Sequence, residues 1–226
     1  VKVTDTILHG AFVSDPNSAP AGIYVEVYKS SFNDNGVDEA DQDGFFVEET
    51  GSGTVEGEVT SSYFLRNGSD GFGISEEGGG KVLLSVVDTN FRENGENIAK
   101  PGDPDDGLDI DEGAFGDVEV TIVDSFFKIN FDDGIDLDER GGGNLVLEVT
   151  NTVSTRNSDQ GVAVDERGDG DLVVDLIDSQ VRYNDKGSQG YDLRAEQFDA
   201  GTGTVTSDNT DLGGTTLHNT TLVIVP

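Results

Sequence analysis

A unit of 27 residues recurs along the chain, and it constrains the fold more than any other feature of the sequence. Each unit begins with a glycine before a short alternating strand, and it continues with a glycine-rich turn, a longer strand and a closing asparagine. The opening glycines are Gly10, Gly44, Gly71, Gly107, Gly134, Gly161 and Gly190. Repeats of roughly 20 to 50 residues are typical of stacked supersecondary units that bury a core only through their neighbours. The repeat therefore predicts a solenoid.

Each unit is built of strands, because its apolar residues follow a period of two. In the short strand, Ile135 and Leu137 alternate with Asp136 and Asp138, and the long strand at 145–149 keeps the same alternation. Equivalent apolar residues of successive units are then expected to stack inside the solenoid at the parallel-strand spacing of about 4.8 Å. The predicted interior row is Phe45, Phe72, Leu108, Ile135, Val162 and Tyr191.

A second landmark follows the long strand. In six units a Ser or Thr lies seven positions, and an Asn twelve positions, after the first apolar residue of that strand. The segments DTNFREN (88–94), DSFFKIN (124–130) and DSQVRYN (178–184), with the Asp-Gly openings, resemble right-handed parallel β-helix proteins of the pectate-lyase-like superfamily. The resemblance covers essentially the whole chain.

The resemblance implies that one asparagine per coil stacks into a ladder at one corner. The matching residues are Asn67, Asn94, Asn130, Asn157 and Asn184. The superfamily includes lyases, hydrolases, epimerases, adhesins and inert scaffolds, so the resemblance specifies the fold and leaves the function open.

The sequence therefore predicts an all-β chain, a right-handed parallel β-helix of about seven coils that forms a single domain over 1–226. Residues 1–10 match the second half of a repeat, which predicts that the chain is a segment of a longer or processed protein. Residues 211–226 depart from the repeat and are a candidate C-terminal cap.

The charge limits the partners. With 46 Asp and Glu against 13 Lys and Arg, the formal net charge is -33, which disfavours binding to nucleic acid or to an anionic membrane surface. The chain has no cysteine and no apolar run of about 18 residues for direct membrane insertion. These features favour an extracellular or cell-surface protein, and the many carboxylates are typical of salt adaptation.

Carboxylates also occupy the outward positions of the short strand, two and four residues after the opening glycine. In the last coil these positions are predicted to hold Asp192 and Arg194. Stacked carboxylates about 5 Å apart repel, so either salt screens them or a cation bridges them, and Ca²⁺ takes about six to eight oxygen ligands. The candidate metal ligands are Asp109, Asp111, Asp136, Asp138 and Asp165.

A glutamate follows these positions in five units. We interpret the five as solvated corner residues that pair with Arg140 or Arg167. They are Glu49, Glu76, Glu112, Glu139 and Glu166.

An enzyme is the alternative: a polysaccharide lyase, hydrolase or epimerase that acts on an acidic glycan along one sheet face. In the superfamily that the chain resembles, elimination uses an Arg or Lys base, and Arg140, Arg167 and Arg194 approach the acidic strand. Asp132 and Asp133 form a carboxylate pair, but aspartates recur at that place in other coils, which favours a structural role. The sequence therefore predicts no catalytic residue and a non-catalytic structural or adhesive element.

Two insertions follow the asparagine position, at 36–44 and 96–106. They are expected to project side by side on one edge, where they are candidate contacts for a glycan or for another copy of the chain. The alternative is that they are tolerated surface loops, since added loop length costs little. End-to-end stacking of copies is a further candidate for assembly.

Overall fold

A computed structural model describes residues 1–16, 20–96, 98–102, 104–184 and 191–225. Over these residues the chain forms 24 strands and no helix, and the strands form three parallel sheets of eight strands each. The chain visits each sheet once per coil, so neighbours in a sheet are three strands apart in sequence. The protein is a parallel β-helix of eight coils, which confirms the predicted fold class.

The three sheets differ in strand length. Sheet A contains β1 (Lys2–Thr4), β4 (Ser31–Asn33), β7 (Tyr63–Leu65), β10 (Asn90–Arg92), β13 (Phe126–Lys128), β16 (Val153–Thr155), β19 (Gln180–Val181) and β22 (Asp211–Leu212). Sheet B contains β2 (Ala11–Asp15), β5 (Phe45–Glu49), β8 (Phe72–Glu76), β11 (Leu108–Glu112), β14 (Ile135–Glu139), β17 (Val162–Glu166), β20 (Leu193–Gln197) and β23 (Thr215–His218). Sheet C contains β3 (Ile23–Tyr28), β6 (Val55–Thr60), β9 (Val82–Val87), β12 (Val118–Val123), β15 (Leu145–Thr150), β18 (Leu172–Ile177), β21 (Gly203–Asp208) and β24 (Thr220–Val225).

The C-terminal segment adds the eighth coil. β22, β23 and β24 continue the three sheets in parallel, and β24 pairs with β21 over six residues. Gly214 occupies the opening position of this coil, but it does not follow the 27-residue spacing. For this reason the sequence pattern identifies only seven opening glycines for eight coils. The role of this segment as a cap stays a prediction.

The predicted interior row holds from Phe45 to Val162, but its last member is wrong. Leu193, and not Tyr191, pairs with Val162. Asp192 takes the place of the opening glycine, since its carbonyl accepts the N–H groups of Gly161 and Val162. The register between these coils is 31 residues, so the insertion adds four residues to the 27-residue unit. Gly190, the predicted opening glycine, lies outside the described residues.

The interior is mostly apolar, and sheet A contributes a stack of phenylalanine rings. The ring centroids of Phe32 and Phe64 lie 5.3 Å apart, those of Phe64 and Phe91 4.9 Å, and those of Phe91 and Phe127 4.6 Å. Neighbouring rings are nearly parallel and buried. Such aromatic pairs add about 0.5–1.5 kcal/mol each beyond the area they bury.

A buried asparagine column lines the corner between sheets A and B. Each Nδ2 donates to Oδ1 of the asparagine in the next coil, at 2.9 to 3.2 Å. The backbone N–H of each asparagine donates to the same oxygen. The last Nδ2, of Asn184, donates to Asp192 Oδ1 at 3.1 Å. The column consists of Asn35, Asn67, Asn94, Asn130, Asn157 and Asn184.

A hydroxyl column lines the corner between sheets C and A. Each backbone N–H donates to the hydroxyl of the next coil at 3.1 to 3.3 Å. Its members are Ser30, Ser62, Thr89, Ser125, Thr152, Ser179 and Thr210. The two columns satisfy backbone groups that the corners bury, and so they fix the register of the coils. Nowhere in the described ranges is there a helix long and apolar enough to cross a membrane.

Candidate cation-binding face

The outward side of sheet B carries the five carboxylates that the sequence selects as candidate ligands. Asp109 on β11 pairs with Asp136 on β14. Asp111, Asp138 and Asp165 form the neighbouring row across β11, β14 and β17. The structure thus places all five on one face of three adjacent strands.

The last coil differs from the sequence prediction. β20 pairs with β17 so that Arg194 lies beside Ala163, and Glu196 lies beside Asp165. The placement of Asp192 and Arg194 at these two positions is wrong, because the register lies two residues further along the chain. As a result Arg194 lies at the β20 side of the acidic face, from where it reaches Asp165 and Asp136.

Three arginines neutralise one row of the carboxylates. Arg140 Nη2 lies 2.7 Å from Asp111 Oδ1 and also forms a short ion pair with Asp138. Arg167 Nη2 lies 2.7 Å, and Arg194 Nη1 2.8 Å, from Asp165 Oδ2. Asp111, Asp138 and Asp165 thus receive positive charge from the chain itself and do not require a bound cation.

A second group of carboxylates has fewer positive charges close to it. One oxygen from each of Asp106, Asp109 and Asp136 lies within 4.8 Å of the others. Over the residues that the structure describes, Asp109 has no ion pair, and the nearest cation to Asp136 is Arg194 Nη2 at 3.6 Å. Asp136 Oδ1 is buried and accepts no hydrogen bond. Asp106 completes a cluster that the sequence only partly identified.

Asp106 belongs to a column of aspartates that precede the opening glycines. The backbone N–H of Asp70 donates to Asp43 Oδ1 at 3.1 Å, and that of Asp106 donates to Asp70 Oδ1 at 2.7 Å. Asp133 N–H donates to Asp106 Oδ1 at 2.6 Å. The column begins at His9, whose Nδ1 accepts the N–H of Asp43 at 2.8 Å. One oxygen of each of these aspartates thus holds the corner together, as expected for a residue repeated in register.

Burial raises the pKa values of this cluster. Burial, with the neighbouring carboxylates adding to it, holds the pKa of Asp106 and of Asp109 well above the usual range. For the same reasons the pKa of Asp136 rises to about 7, against a smaller opposing effect of Arg194. The pKa of Asp133 rises to about 9, chiefly through burial. Without a cation, the cluster therefore holds protons at a higher pH than exposed aspartates do.

The glutamates that end the strands of sheet B do not lie in solvent. All five have 0% exposure, and they point into the solenoid. Arg140 and Arg167 pair with aspartates on the opposite face of the sheet. The interpretation of these glutamates as solvated corner residues paired with Arg140 or Arg167 is therefore wrong.

A groove of about 430 Å³ adjoins the cluster. Asp132, Asp133 and Asp159 each place an oxygen within 4.8 Å of the other two. The remaining lining residues are Asp136, Gln160, Tyr191, Arg194, Glu196 and Thr216. The groove combines acidic groups, one arginine and one tyrosine.

The two predicted loops contact each other. Lys100 Nζ in the loop 96–106 lies 3.4 Å from Asp41 Oδ1 in the loop 36–44. Asn97 and Asp103 of the second loop lie outside the described residues. The loops thus adjoin on one edge, as the sequence predicts.

The cluster of Asp106, Asp109 and Asp136 offers hard oxygen ligands and a net negative charge. These are the properties that a divalent cation requires, and Ca²⁺ accepts irregular sets of carboxylate, carbonyl and water oxygens. No protein-family model matches this chain, and no curated protein matches it.

Proposed function

We propose that the protein is an extracellular or cell-surface structural or adhesive element, a non-catalytic β-helix whose acidic face is stabilised by Ca²⁺. The observation that carries this proposal is the cluster of Asp106, Asp109 and Asp136, in which three carboxylates approach within 4.8 Å. Like charges at this separation destabilise a sheet unless a proton or a cation lies between them.

The distribution of arginine on sheet B supports an external cation. Arg140, Arg167 and Arg194 neutralise Asp111, Asp138 and Asp165, the row of carboxylates nearer the C-terminal ends of the strands. Asp109 forms no ion pair with any of them in the described part of the chain. The chain therefore supplies its own positive charge for one row and leaves the other to a bound ion.

Ca²⁺ fits this cluster better than Mg²⁺. Mg²⁺ demands near-ideal octahedral geometry and keeps several waters, whereas Ca²⁺ tolerates irregular and bidentate carboxylate ligands. Stacked strands fix the aspartates at intervals set by the sheet and not by the ion. Such a rigid and irregular donor set suits the larger cation.

We also infer that the solenoid is right-handed and belongs to the pectate-lyase-like superfamily. The buried asparagine column at one corner supports this inference, as does the right-handedness of nearly all parallel crossover connections. The net charge of -33 and the lack of cysteine favour an exported protein that binds neither nucleic acid nor, by direct insertion, a membrane. The adjoining loops at 36–44 and 96–106 are the proposed contact surface for a glycan or a second copy, with end-to-end stacking as the other mode of assembly.

Thermal unfolding with and without Ca²⁺ tests the cation. At constant ionic strength and pH 7.5, we expect Ca²⁺ to raise the melting temperature and a chelator to lower it. At a free Ca²⁺ concentration 100 times the Kd, the expected stabilisation is about 2.7 kcal/mol. Asp109→Asn should remove most of this response.

The matched control is Asp169→Asn, which makes the same change at an exposed turn position. This variant should respond to Ca²⁺ as the wild type does. If NaCl at high concentration restores the melting temperature as well as Ca²⁺ does, charge screening explains the face and the cation proposal fails.

The groove beside Tyr191 favours a second candidate function, an enzyme acting on an acidic glycan. Asp132, Asp133 and Asp159 gather carboxylates next to Arg194, an arrangement compatible with acid–base chemistry on a sugar. A screen of uronate polymers tests it, with absorbance of unsaturated products for elimination and reducing ends for hydrolysis. Activity that Asp133→Asn abolishes would establish the enzyme, whereas inactive wild-type protein across the screen supports the structural role.

A further inference from the structure

A column of glutamates lies inside the solenoid, on the side of sheet B opposite the cation-binding face. Strands β5, β8, β11, β14 and β17 each end with an inward glutamate, and β20 ends with Gln197 in the same register. All six side chains have 0% exposure. We call this set the glutamate column: Glu49, Glu76, Glu112, Glu139, Glu166 and Gln197.

One oxygen of each glutamate holds the turn that follows its strand. Glu76 Oε1 accepts the N–H groups of Gly78 and Gly80 at 3.1 and 3.0 Å. Glu139 Oε1 accepts those of Gly141 and Gly143 at 2.9 and 3.0 Å. Glu49, Glu112 and Glu166 make equivalent bonds to their own turns. This explains why a charged residue type recurs at an inward position.

Three of the five second oxygens lack donors. Oε2 of Glu49, of Glu112 and of Glu139 is buried and receives no hydrogen bond. Within the described residues the groups in register with the ends of the column are Asp15 below Glu49 and Gln197 above Glu166, and no arginine or lysine pairs with the glutamates.

A stack of five ionised carboxylates is not a stable arrangement in this setting. Carboxylates only accept hydrogen bonds, so adjacent ionised groups repel without any compensating donor. A protonated carboxyl group, in contrast, donates one hydrogen bond to its neighbour. Gln197 shows that the column accepts such a donor, since its Nε2 donates a short hydrogen bond to Glu166 Oε2.

We propose that the glutamate column is a proton-binding site, in which protonated Glu49, Glu112 and Glu166 donate hydrogen bonds to the carboxylates of Glu76 and Glu139. This alternation leaves no two ionised glutamates adjacent, and its three protons supply hydrogen bonds to three of the four neighbouring pairs. Independently, burial and then the adjacent glutamates raise the pKa of Glu112 to about 8. Burial also raises the pKa of Glu166 to about 7, and it raises that of Glu49.

A metal ion fits this column poorly. In the outward cluster three carboxylates converge within 4.8 Å, whereas within the described residues no three glutamates of the column do so. The proposed cation ligands Asp106, Asp109 and Asp136 face the other side of the sheet. The proton site is therefore independent of the cation proposed for the outer face.

Carbon-13 NMR of protein labelled at the glutamate side-chain carboxyl carbon tests the proposal directly. At pH 6.5 and in the presence of a chelator, we expect three carboxyl signals at the chemical shift of the protonated form. The variants Glu49→Gln, Glu112→Gln and Glu166→Gln should each lose one of these three signals. If all glutamate signals have the carboxylate shift and stability depends on Na⁺ or K⁺, a metal cation occupies the column and the proposal is overturned.

Stability gives a second readout for Glu112→Gln. A raised native pKa means that the stabilisation is complete below the unfolded pKa of about 4.3 and is lost as pH rises through the native pKa. The unfolding equilibrium constant of the wild type should rise by up to about tenfold per pH unit for each protonated glutamate. Glu112→Gln should therefore unfold less readily than the wild type at pH 8.5 and about equally at pH 5.

The matched control is Glu148→Gln, which makes the same change at an exposed position of β15. This control should leave the pH dependence unchanged. A Glu112→Gln protein that is equally destabilised at pH 5 and pH 8.5 would show that an ionised carboxylate is needed there, which contradicts the proposal.

Discussion

The side-chain amide and the backbone N–H of Asn157 both donate to Oδ1 of Asn184, each at 3.0 Å. The same pair of bonds connects Asn130 to Asn157, also at 3.0 Å. Each asparagine is thus both donor and acceptor in a buried column. Coil stacking depends on this corner as well as on the apolar interior.

Asn157→Ala should be strongly destabilising. It leaves two buried donors of Asn130 without an acceptor, and each such loss costs about 1–3 kcal/mol. We expect the free energy of unfolding to fall by about 3–5 kcal/mol in a urea titration. Asn144→Ala, at an exposed position, should cost less than about 1 kcal/mol, and equal losses in the two variants would contradict the role of the column.

Phe91→Ala tests the phenylalanine stack. Phe91 has 0% exposure and lies between Phe64 and Phe127. Removing it should cost about 3–5 kcal/mol, since the cavity is lined by rings that cannot collapse fully. Phe115 is 83% exposed, and Phe115→Ala should leave the urea midpoint almost unchanged.

Ile129 is a position where the native residue reduces stability. Its φ is 64°, in the left-handed region where a β-branched side chain is strained. The equivalent positions in neighbouring coils are also left-handed, so the corner requires this conformation. Ile129→Asn should raise the free energy of unfolding by about 1 kcal/mol. Ile129→Val keeps the branch and should give no gain, and a Val variant as stable as the Asn variant would exclude backbone strain as the cause.

The acidic face should make the cation-free protein less stable at high pH. The pKa values of Asp133 and Asp136 rise to about 9 and about 7, and those of Asp106 and Asp109 rise as well. Groups with raised native pKa values stabilise fully below the unfolded pKa of about 4, and this contribution is lost as pH rises through the native values. In chelator, each group should lower the free energy of unfolding by up to about 1.4 kcal/mol per pH unit across that window.

Denaturant titrations between pH 5 and pH 9 measure this dependence. Added Ca²⁺ should flatten the curve above pH 7, because the ion replaces the protons between the carboxylates. Asp136→Asn should flatten the pH dependence of the free energy of unfolding even without Ca²⁺. A cation-free protein that becomes more stable as pH rises would contradict the assigned burial of these groups.

Much of the fold is predictable because the repeat presents each structural requirement six or more times. The asparagine and hydroxyl positions are identified by their spacing alone. The register of the last coils is not, because the chain between Val162 and Leu193 is four residues longer than the 27-residue unit. Asp192 takes over both the glycine position and the end of the asparagine column.

The site was predictable only in part. The alternation of inward and outward residues along the strands identifies Asp109 and Asp136. Asp106 lies in a corner, where it accepts the backbone N–H of Asp133 and also contributes an oxygen to the cluster, and strand alternation does not identify it. Parity also indicates that Glu112 points inward, since Leu108, Ile110 and Glu112 occupy alternate positions of β11. Its residue type suggests exposure, and the turn amides that donate hydrogen bonds to its Oε1 are visible only in the structure.

Calorimetric titration of Ca²⁺ into the wild-type protein at pH 7, repeated in buffers of different ionisation enthalpy, tests the central claim most directly. We predict saturable binding with at least one ion per chain and release of protons, because the ion displaces protons held by Asp106, Asp109 and Asp136. Asp109→Asn should lose this binding while Asp169→Asn keeps it. Absence of saturable heat in the wild type, or identical titrations of wild type and Asp109→Asn, would contradict a Ca²⁺-stabilised acidic face.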